Sequence, residues 1–465
     1  MIAATIPNNS LVGGYLVSAA CFVVALKALS SPRRARWGNL IGVGGMVVAV
    51  GLTLADSHAG PGGIIPIGMV IGAVIGAPVS RRVQMTAMPQ LVAVFNGVGG
   101  GAAAIVSTVD FLRTQPLHPG AVHILEMVFG LVIGSASIAG SLVAFAKLQE
   151  LLTGRPITFK AQHAVHAAAV TGLLAAGAWT VADPHLGGFV VLAVLSVALG
   201  IGICLPVGGA DTPVLISLLN SLTGLAVAAD GFALGNMILV VAGTLVGTSG
   251  ALLTKMMSDA MGRPLSNIIL GGLSTAGSTE LLGGAGSAQT VRSAGPEDIG
   301  TLLAYSRRVI IVPGYGLAVA QAQHTVVELA RELERRGVEV TYAIHPVAGR
   351  MPGHMNVLLA EADVPYESLD DLESANARFA GSDVALVVGA NDVVNPAARD
   401  DPGSPLYGMP ILNADEANNV VFMKRSMRPG FSGVDNSLLY DPKTVLLFGD
   451  AKDSLAKLVV AVRSS

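Results

Sequence analysis

Apolar residues fall in long unbroken runs through the first half of the chain and in short, regularly spaced runs through the last third. Nine long runs approach the length a bilayer requires, roughly 20 residues: 11–29, 38–55, 63–79, 87–109, 122–146, 163–181, 187–205, 212–229 and 233–254. Short runs near 308–313, 338–344, 383–389, 410–412, 419–423 and 444–448 read as strands. Helical periodicity lies near 316–336, 353–361, 372–379 and 452–462. Strands alternating with helices predict a parallel, doubly wound sheet. The expected fold is therefore a polytopic α-helical membrane bundle of about nine spans over residues 1–258, then a Gly/Ser-rich flexible linker over 259–300, then a soluble α/β domain over 301–465.

Composition agrees with that division. The chain is 52% hydrophobic and 13% charged, with mean hydropathy +0.64, whereas a soluble globule carries about 25% charged residues. Its charges gather after residue 290. Alternate connections between the spans hold Arg33, Arg34 and Arg36, then Arg81 and Arg82, then Lys147, Arg155 and Lys160, then Lys255 and Arg263. The intervening ones, around Asp56, Asp110 to Gly120, Asp183 and Asp230, hold only Arg113. By the positive-inside rule the amino terminus is outside and the carboxy-terminal domain cytoplasmic. Met1 to Ser10 has no positive segment, so the first run reads as a retained span. Glycine-rich stretches such as Gly97 to Gly101 and Gly243 to Gly250 suit close helix packing. A net charge of −3 without a basic stripe argues against nucleic acid. Cys21 and Cys204 lie in apolar runs, and no metal-spaced Cys/His cluster is present.

The chemistry centres on Val309 to Ala320. A β-branched strand ends in Pro313, then Gly314, Tyr315 and Gly316 turn into a helix, giving Gly-x-Gly-x-x-Val with Val319 third. Such a strand–turn–helix lets backbone N–H groups approach a pyrophosphate and predicts a Rossmann-like, dinucleotide-binding domain. An NAD site would end the second strand in a carboxylate; this one ends in His345, with Arg350 beyond it. Cations gather instead at Lys424, Arg425 and Ser426, suited to a 2′-phosphate or simply a solvated turn. Gly389, Ala390, Asn391, Asp392 and Val393 open a loop at the sheet's carboxyl edge, and Gly449, Asp450, Ala451 and Lys452 close the last strand. Asp392 and Asp450 are each read either as cofactor contacts or as helix N-caps.

These motifs, with His345 to Gly353, Gly208 to Asp211, Leu219 to Ser221 and Gly140 to Phe145, resemble the β subunit of proton-translocating nicotinamide nucleotide transhydrogenase over essentially the whole chain. The resemblance implies that the soluble domain binds NADP(H), reversed relative to the usual Rossmann orientation. It implies cofactor contacts from Gly314, Tyr315, Gly316 and Val319, from Val347, Ala348, Gly349, Arg350, Met351 and Pro352, from Gly389 to Val393, and from Gly408 and Met409. Lys424, Arg425 and Ser426 would take the 2′-phosphate, Gly449 to Lys452 would form a lid-like loop, and Asp392 is the candidate catalytic residue. NAD(H) would sit on a separate α subunit, with Re/Si-specific hydride transfer between the nicotinamides. Two αβ protomers would pair in the lipid of a bacterial inner membrane. Asn96, Glu126, Ser141, Asp211 and Asn220, polar groups expensive in lipid, are the candidate proton path or inter-helix hydrogen-bonding groups. Many family members carry a titratable His where this chain has Asn96, and some have Tyr where it has Phe431; His123, His163 and His166 are local alternatives to the former. A transporter or channel regulated by an NADP(H)-sensing domain is the alternative.

Overall fold

A computed structural model describes residues 8–29, 32–55, 64–84, 87–115, 119–149, 151–153, 156–159, 161–208, 211–261, 265–269, 291–349, 353–404, 406–430 and 432–465. The chain folds as two compact units, one of apolar helices and one around a sheet.

Among the described residues nine helices are long and apolar enough to span a membrane: α1 (Asn8–Leu29), α2 (Pro32–Ala55), α3 (Ile64–Arg82), α4 (Met88–Thr114), α5 (Ala121–Leu148), α6 (Gln162–Ala182), α7 (Leu186–Cys204), α8 (Thr212–Ala233) and α9 (Met237–Ala260). α1 pairs with α2, and α5 packs on α6 and α7. Small residues set the closest approaches: a Cβ on Gly224 would lie 2.5 Å from the Gly247 nitrogen, and one on Gly243 2.5 Å from the Ala228 nitrogen, so α8 and α9 meet backbone to backbone. Ser221 Oγ closes that seam by donating to the Gly247 carbonyl at 2.6 Å. α3 buries none of its residues. Asp230, expected in a connection, is instead inside α8 and buried; the α8–α9 turn lies at 234–236.

A short helix, α10 (Leu265–Ile269), follows, and then the sheet unit begins: α11 (Pro296–Ala304), β1 (Arg308–Pro313), α12 (Tyr315–Val319), α13 (Gln323–Arg335), β2 (Glu339–Ala343), α14 (His354–Glu361), β3 (Leu369–Asp370), α15 (Leu372–Phe379), β4 (Val384–Val388), α16 (Ala397–Asp400), β5 (Asn419–Lys424), β6 (Thr444–Phe448) and α17 (Ala451–Ser464). All six strands are parallel, in the order β3-β2-β1-β4-β5-β6. Successive side chains of β1 enter opposite cores, Val309 and Ile311 with α13 and α17, Ile310 and Val312 with α15.

Four features of the sheet unit differ from the sequence reading. Residues 291–300, expected in the linker, belong to the sheet unit: Leu446 N donates to the Arg292 carbonyl at 2.8 Å, and α11 packs on α17. The helix expected over 316–336 is two, broken where Gln321 takes φ 50°. Residues 410–412 form no strand; Pro410 has no N–H to give a ladder, and Leu412 N donates to the Val393 carbonyl instead. An unexpected strand, β3, two residues long, forms the edge of the sheet beside β2.

Candidate functional site

Strand order reverses between β1 and β4, and a ligand crevice belongs at that switch, beyond the carboxyl ends of the strands. There the turns after the two strands interlock. Gly314 N donates to the Val388 carbonyl and Gly316 N to the Gly389 carbonyl, both at 2.9 Å. A Cβ on Gly316 would sit 2.7 Å from the Gly389 Cα. These glycines therefore let two turns touch, and their N–H groups, expected to face a pyrophosphate, are taken by backbone carbonyls. Val319 closes α12 and is 46% exposed, so it does not seat helix against strand as the third fingerprint glycine would.

Beyond β2, His345 is buried and joins two loops. Its Nε2 lies 2.7 Å from the Pro410 carbonyl, while Nδ1 accepts from Val347 N at 3.2 Å. Those partners require the neutral tautomer protonated on Nε2. Val347, Ala348 and Gly349 (φ 111°) follow, and Gly408 (φ 81°) and Met409 stand just before Pro410. Arg350, Met351 and Pro352 lie outside the described residues, as does Phe431. Tyr315 faces His354, ring centroids 6.3 Å apart.

Burial pushes His345 from 6.5 down to about 4, only partly opposed by its bond to Pro410. The unfolded chain then takes up the proton first, so this contribution is complete above pH 6.5 and is lost as pH falls toward 4, about 3 kcal/mol in all. Thermal unfolding of the sheet unit in the full chain should drop more steeply between pH 7 and 5 in the native protein than in His345→Gln. Equal slopes would show that the imidazole is not held neutral.

Between β4 and β5 the polar side chains form one connected set. Lys424 Nζ donates to Asn391 Oδ1 at 3.0 Å, and Asn391 Nδ2 donates to Asp392 Oδ1 at 3.0 Å. Ser432 N holds the other Asp392 oxygen at 2.9 Å, and Asn436 Nδ2 donates to the Asn391 carbonyl at 3.0 Å. Ala390 is buried behind them, and Gly430 passes so close to Asp392 that a side chain there would strike the carboxylate. Partial burial lowers the Lys424 pKa, against the raising effect of Asp392 and Asp435. At the next strand end Gly449 N donates to the Lys424 carbonyl at 3.0 Å, and Arg425 pairs with Asp450 at 3.3 Å. Asp450 also caps α17, accepting from Lys452 N. Ala451 is the first residue of α17, and Ser426 Oγ accepts from Arg428 N.

In the helical unit Asn96 Nδ2 donates to Ser141 Oγ at 2.9 Å and reaches Ser137 Oγ at 3.3 Å; Ser137 Oγ is 2.5 Å from Thr223 Oγ1. Toward the other ends of α4 and α8, Ser107 Oγ donates to Asp230 Oδ1 at 2.6 Å. His123 stands 3.2 Å from Asp110 and 4.0 Å from Glu126. Asn220 is half-buried and outside this set of bonds, and Asp211 is half-buried just before α8.

The model of the family described as NAD(P) transhydrogenase beta subunit matches residues 12–461. Two curated relatives from Rhodospirillum rubrum, one assigned to a particular strain, are each named NAD(P) transhydrogenase subunit beta; each is 46% identical over 461 residues, covering 98% of this chain and 99% of the relative. The chain belongs to the NAD(P) transhydrogenase beta subunit family. A nicotinamide nucleotide is thus the ligand class and an alpha subunit the partner that the name implies. In this chain the sheet gathers Gly314, Gly389, Asn391, Asp392, Lys424, Arg425 and Asp450 at neighbouring strand ends from widely separated stretches. Sequence reading missed the bonds of His345, Ser432 and Asn436 in the sheet unit, and of Ser137, Thr223 and Asp230 among the helices. For Asp230 a signal existed: an acid within one turn of an apolar run is as compatible with a span as with a loop.

Proposed function

We propose that the sheet unit holds NADP(H) while an alpha subunit holds NAD(H), and that hydride exchange between them is coupled to proton movement through the helices toward the side of the sheet unit. The observation that carries the cofactor assignment is the cationic end of β5. Lys424 and Arg425 stand there side by side, and no carboxylate ends β2 to favour an unphosphorylated ribose. Lys424 is a half-buried ammonium whose hydrogen-bonded partner is a neutral amide oxygen, while Asp392 and Asp435 act on it only through space, so its donor can turn to an anion. Bound NADP(H) would supply the hydride-exchanging nicotinamide. Lys424 and Arg425 would bind the 2′-phosphate, with Ser426 beside them. Asp392, its carboxylate held by Asn391 and Ser432, would orient the cofactor or exchange a proton with it. His345 would keep the Val347 and Gly408 loops together, and Asp450, paired with Arg425, would close over the site.

In the helices, Asp230 is a buried carboxylate whose orientation Ser107 fixes, and it would serve as a proton carrier; Asn96, Ser141, Ser137 and Thr223 form a connected hydrogen-bonded set beside the path. Glu126, Asp211 and Asn220 would complete the path. On this reading the amino terminus lies outside, the sheet unit in the cytoplasm of a bacterial cell, and two αβ protomers in one assembly; the cationic alternate connections support the orientation. Sealed vesicles containing this chain and its alpha subunit should take up protons as NADH reduces NADP⁺. Hydride exchange without proton uptake would overturn the coupling, and exchange by this chain alone would overturn the division of cofactors. Asp230→Asn should cut proton-coupled turnover at least tenfold; undiminished uptake would remove Asp230 from the path.

A further inference from the structure

We propose that Asn391 is an internal competitor for the Lys424 ammonium: its side-chain oxygen occupies the donor that a cofactor phosphate needs, which lowers affinity for the phosphorylated cofactor and speeds its exchange. This rests on the assignment of Lys424 to that phosphate.

The orientation of the amide is fixed by charge. Asn391 Nδ2 donates to the Asp392 carboxylate at 3.0 Å, which turns Oδ1 toward Lys424 Nζ, also at 3.0 Å. Flipping the amide would set an NH₂ group against an ammonium and an oxygen against a carboxylate, losing both bonds at once. The backbone is pinned as well, since Asn436 Nδ2 donates to the Asn391 carbonyl. Asp392 and Asp435 act on Lys424 through space, but among the described residues neither forms an ion pair with it, so the amide oxygen is the acceptor a phosphate has to displace.

A neutral acceptor is the right strength for this task. A hydrogen bond to an ammonium from a neutral oxygen is weaker than one from a phosphate, so the ligand wins, but its net affinity is reduced by the bond given up. A carboxylate in the same position would hold Lys424 as an ion pair. An apolar residue would leave a half-buried ammonium without an acceptor, and the phosphate would bind more tightly. The two substitutions therefore act in opposite directions, which a residue serving only as scaffold does not produce.

The test uses the full-length chain in detergent, titrated with NADPH and NADH by nicotinamide fluorescence, with NADPH dissociation followed by displacement. Asn391→Leu should bind NADPH roughly tenfold more tightly and release it correspondingly slowly, and Asn391→Asp should bind it at least tenfold more weakly. In both variants the change should appear in the NADPH-to-NADH affinity ratio, because any slackening of Asp392 acts on the two nucleotides alike. Weaker NADPH binding by Asn391→Leu would overturn the proposal. Should the leucine variant fail to fold, Asn391→Asp decides, and NADPH affinity at or above the native value would overturn it. Lys424→Ala is measured alongside. If it leaves NADPH affinity untouched, the phosphate assignment itself fails, an outcome distinct from failure of the competition.

Discussion

The double variant Lys424→Ala, Arg425→Ala should lose about a hundredfold of its preference for NADPH over NADH. Lys424 is half-buried and meets a neutral acceptor, so its bond to a phosphate would have the strength of a charge-assisted one, about 1.5–3 kcal/mol. Arg425 counts for less: its side chain is 62% exposed and already paired with Asp450, and solvent screens such contacts to below about 1 kcal/mol. Most of the loss should therefore appear in Lys424→Ala alone. Binding of both nucleotides to the full chain measures it. An unchanged ratio in the double variant refutes the 2′-phosphate assignment, and a ratio dominated by Arg425 would mean that the phosphate lies nearer Asp450.

Gly389→Ala should destabilise the sheet unit by about 3 kcal/mol, roughly 10 °C in its thermal transition. Two effects add. Gly389 has φ 71°, where an L-residue costs about 1–2 kcal/mol. A methyl group there would also overlap the backbone of Gly316 and Leu317, atoms that cannot swing aside as a side chain would. Gly337 separates the two effects, because its φ is 84° but nothing lies within 4 Å of an added Cβ. Gly337→Ala should cost only the conformational share. Equal melting losses in the two variants would show that the interlocked turns give way easily.

Much of this architecture was legible because the physics demanding it is local. A bilayer sets a minimum apolar length, so α1 to α9 announced themselves. Strands such as Val384 to Val388, buried on both faces, have to be continuously apolar. What depends on distant partners was not legible. Leu369–Asp370 is too short to carry a period, and Ile411–Leu412 is apolar because this loop packs into the hydrophobic core without joining the sheet. The Gly314–Gly316 turn was located correctly, but only the fold shows that its N–H groups meet β4's turn. The role of His345 depends on Pro410, 65 positions away. Lys424, Asn391 and Asp392 were each visible as polar residues at strand ends; that a single amide links them follows from β4 and β5 lying side by side.

On the proposed reading, Asn96 has a consequence for how tightly the helices are sealed. Hydroxyl groups such as those of Ser137 and Thr223 accept one proton while releasing another, so a row of them conducts; an amide at neutral pH only swivels. With Asn96 seated between Ser141 and Ser137, the row contains a link that behaves as an insulator, and charge crosses it only when a neighbouring group or water moves in to bridge the gap. Leakage at rest would then be suppressed by the chemistry of one side chain rather than by a steric plug.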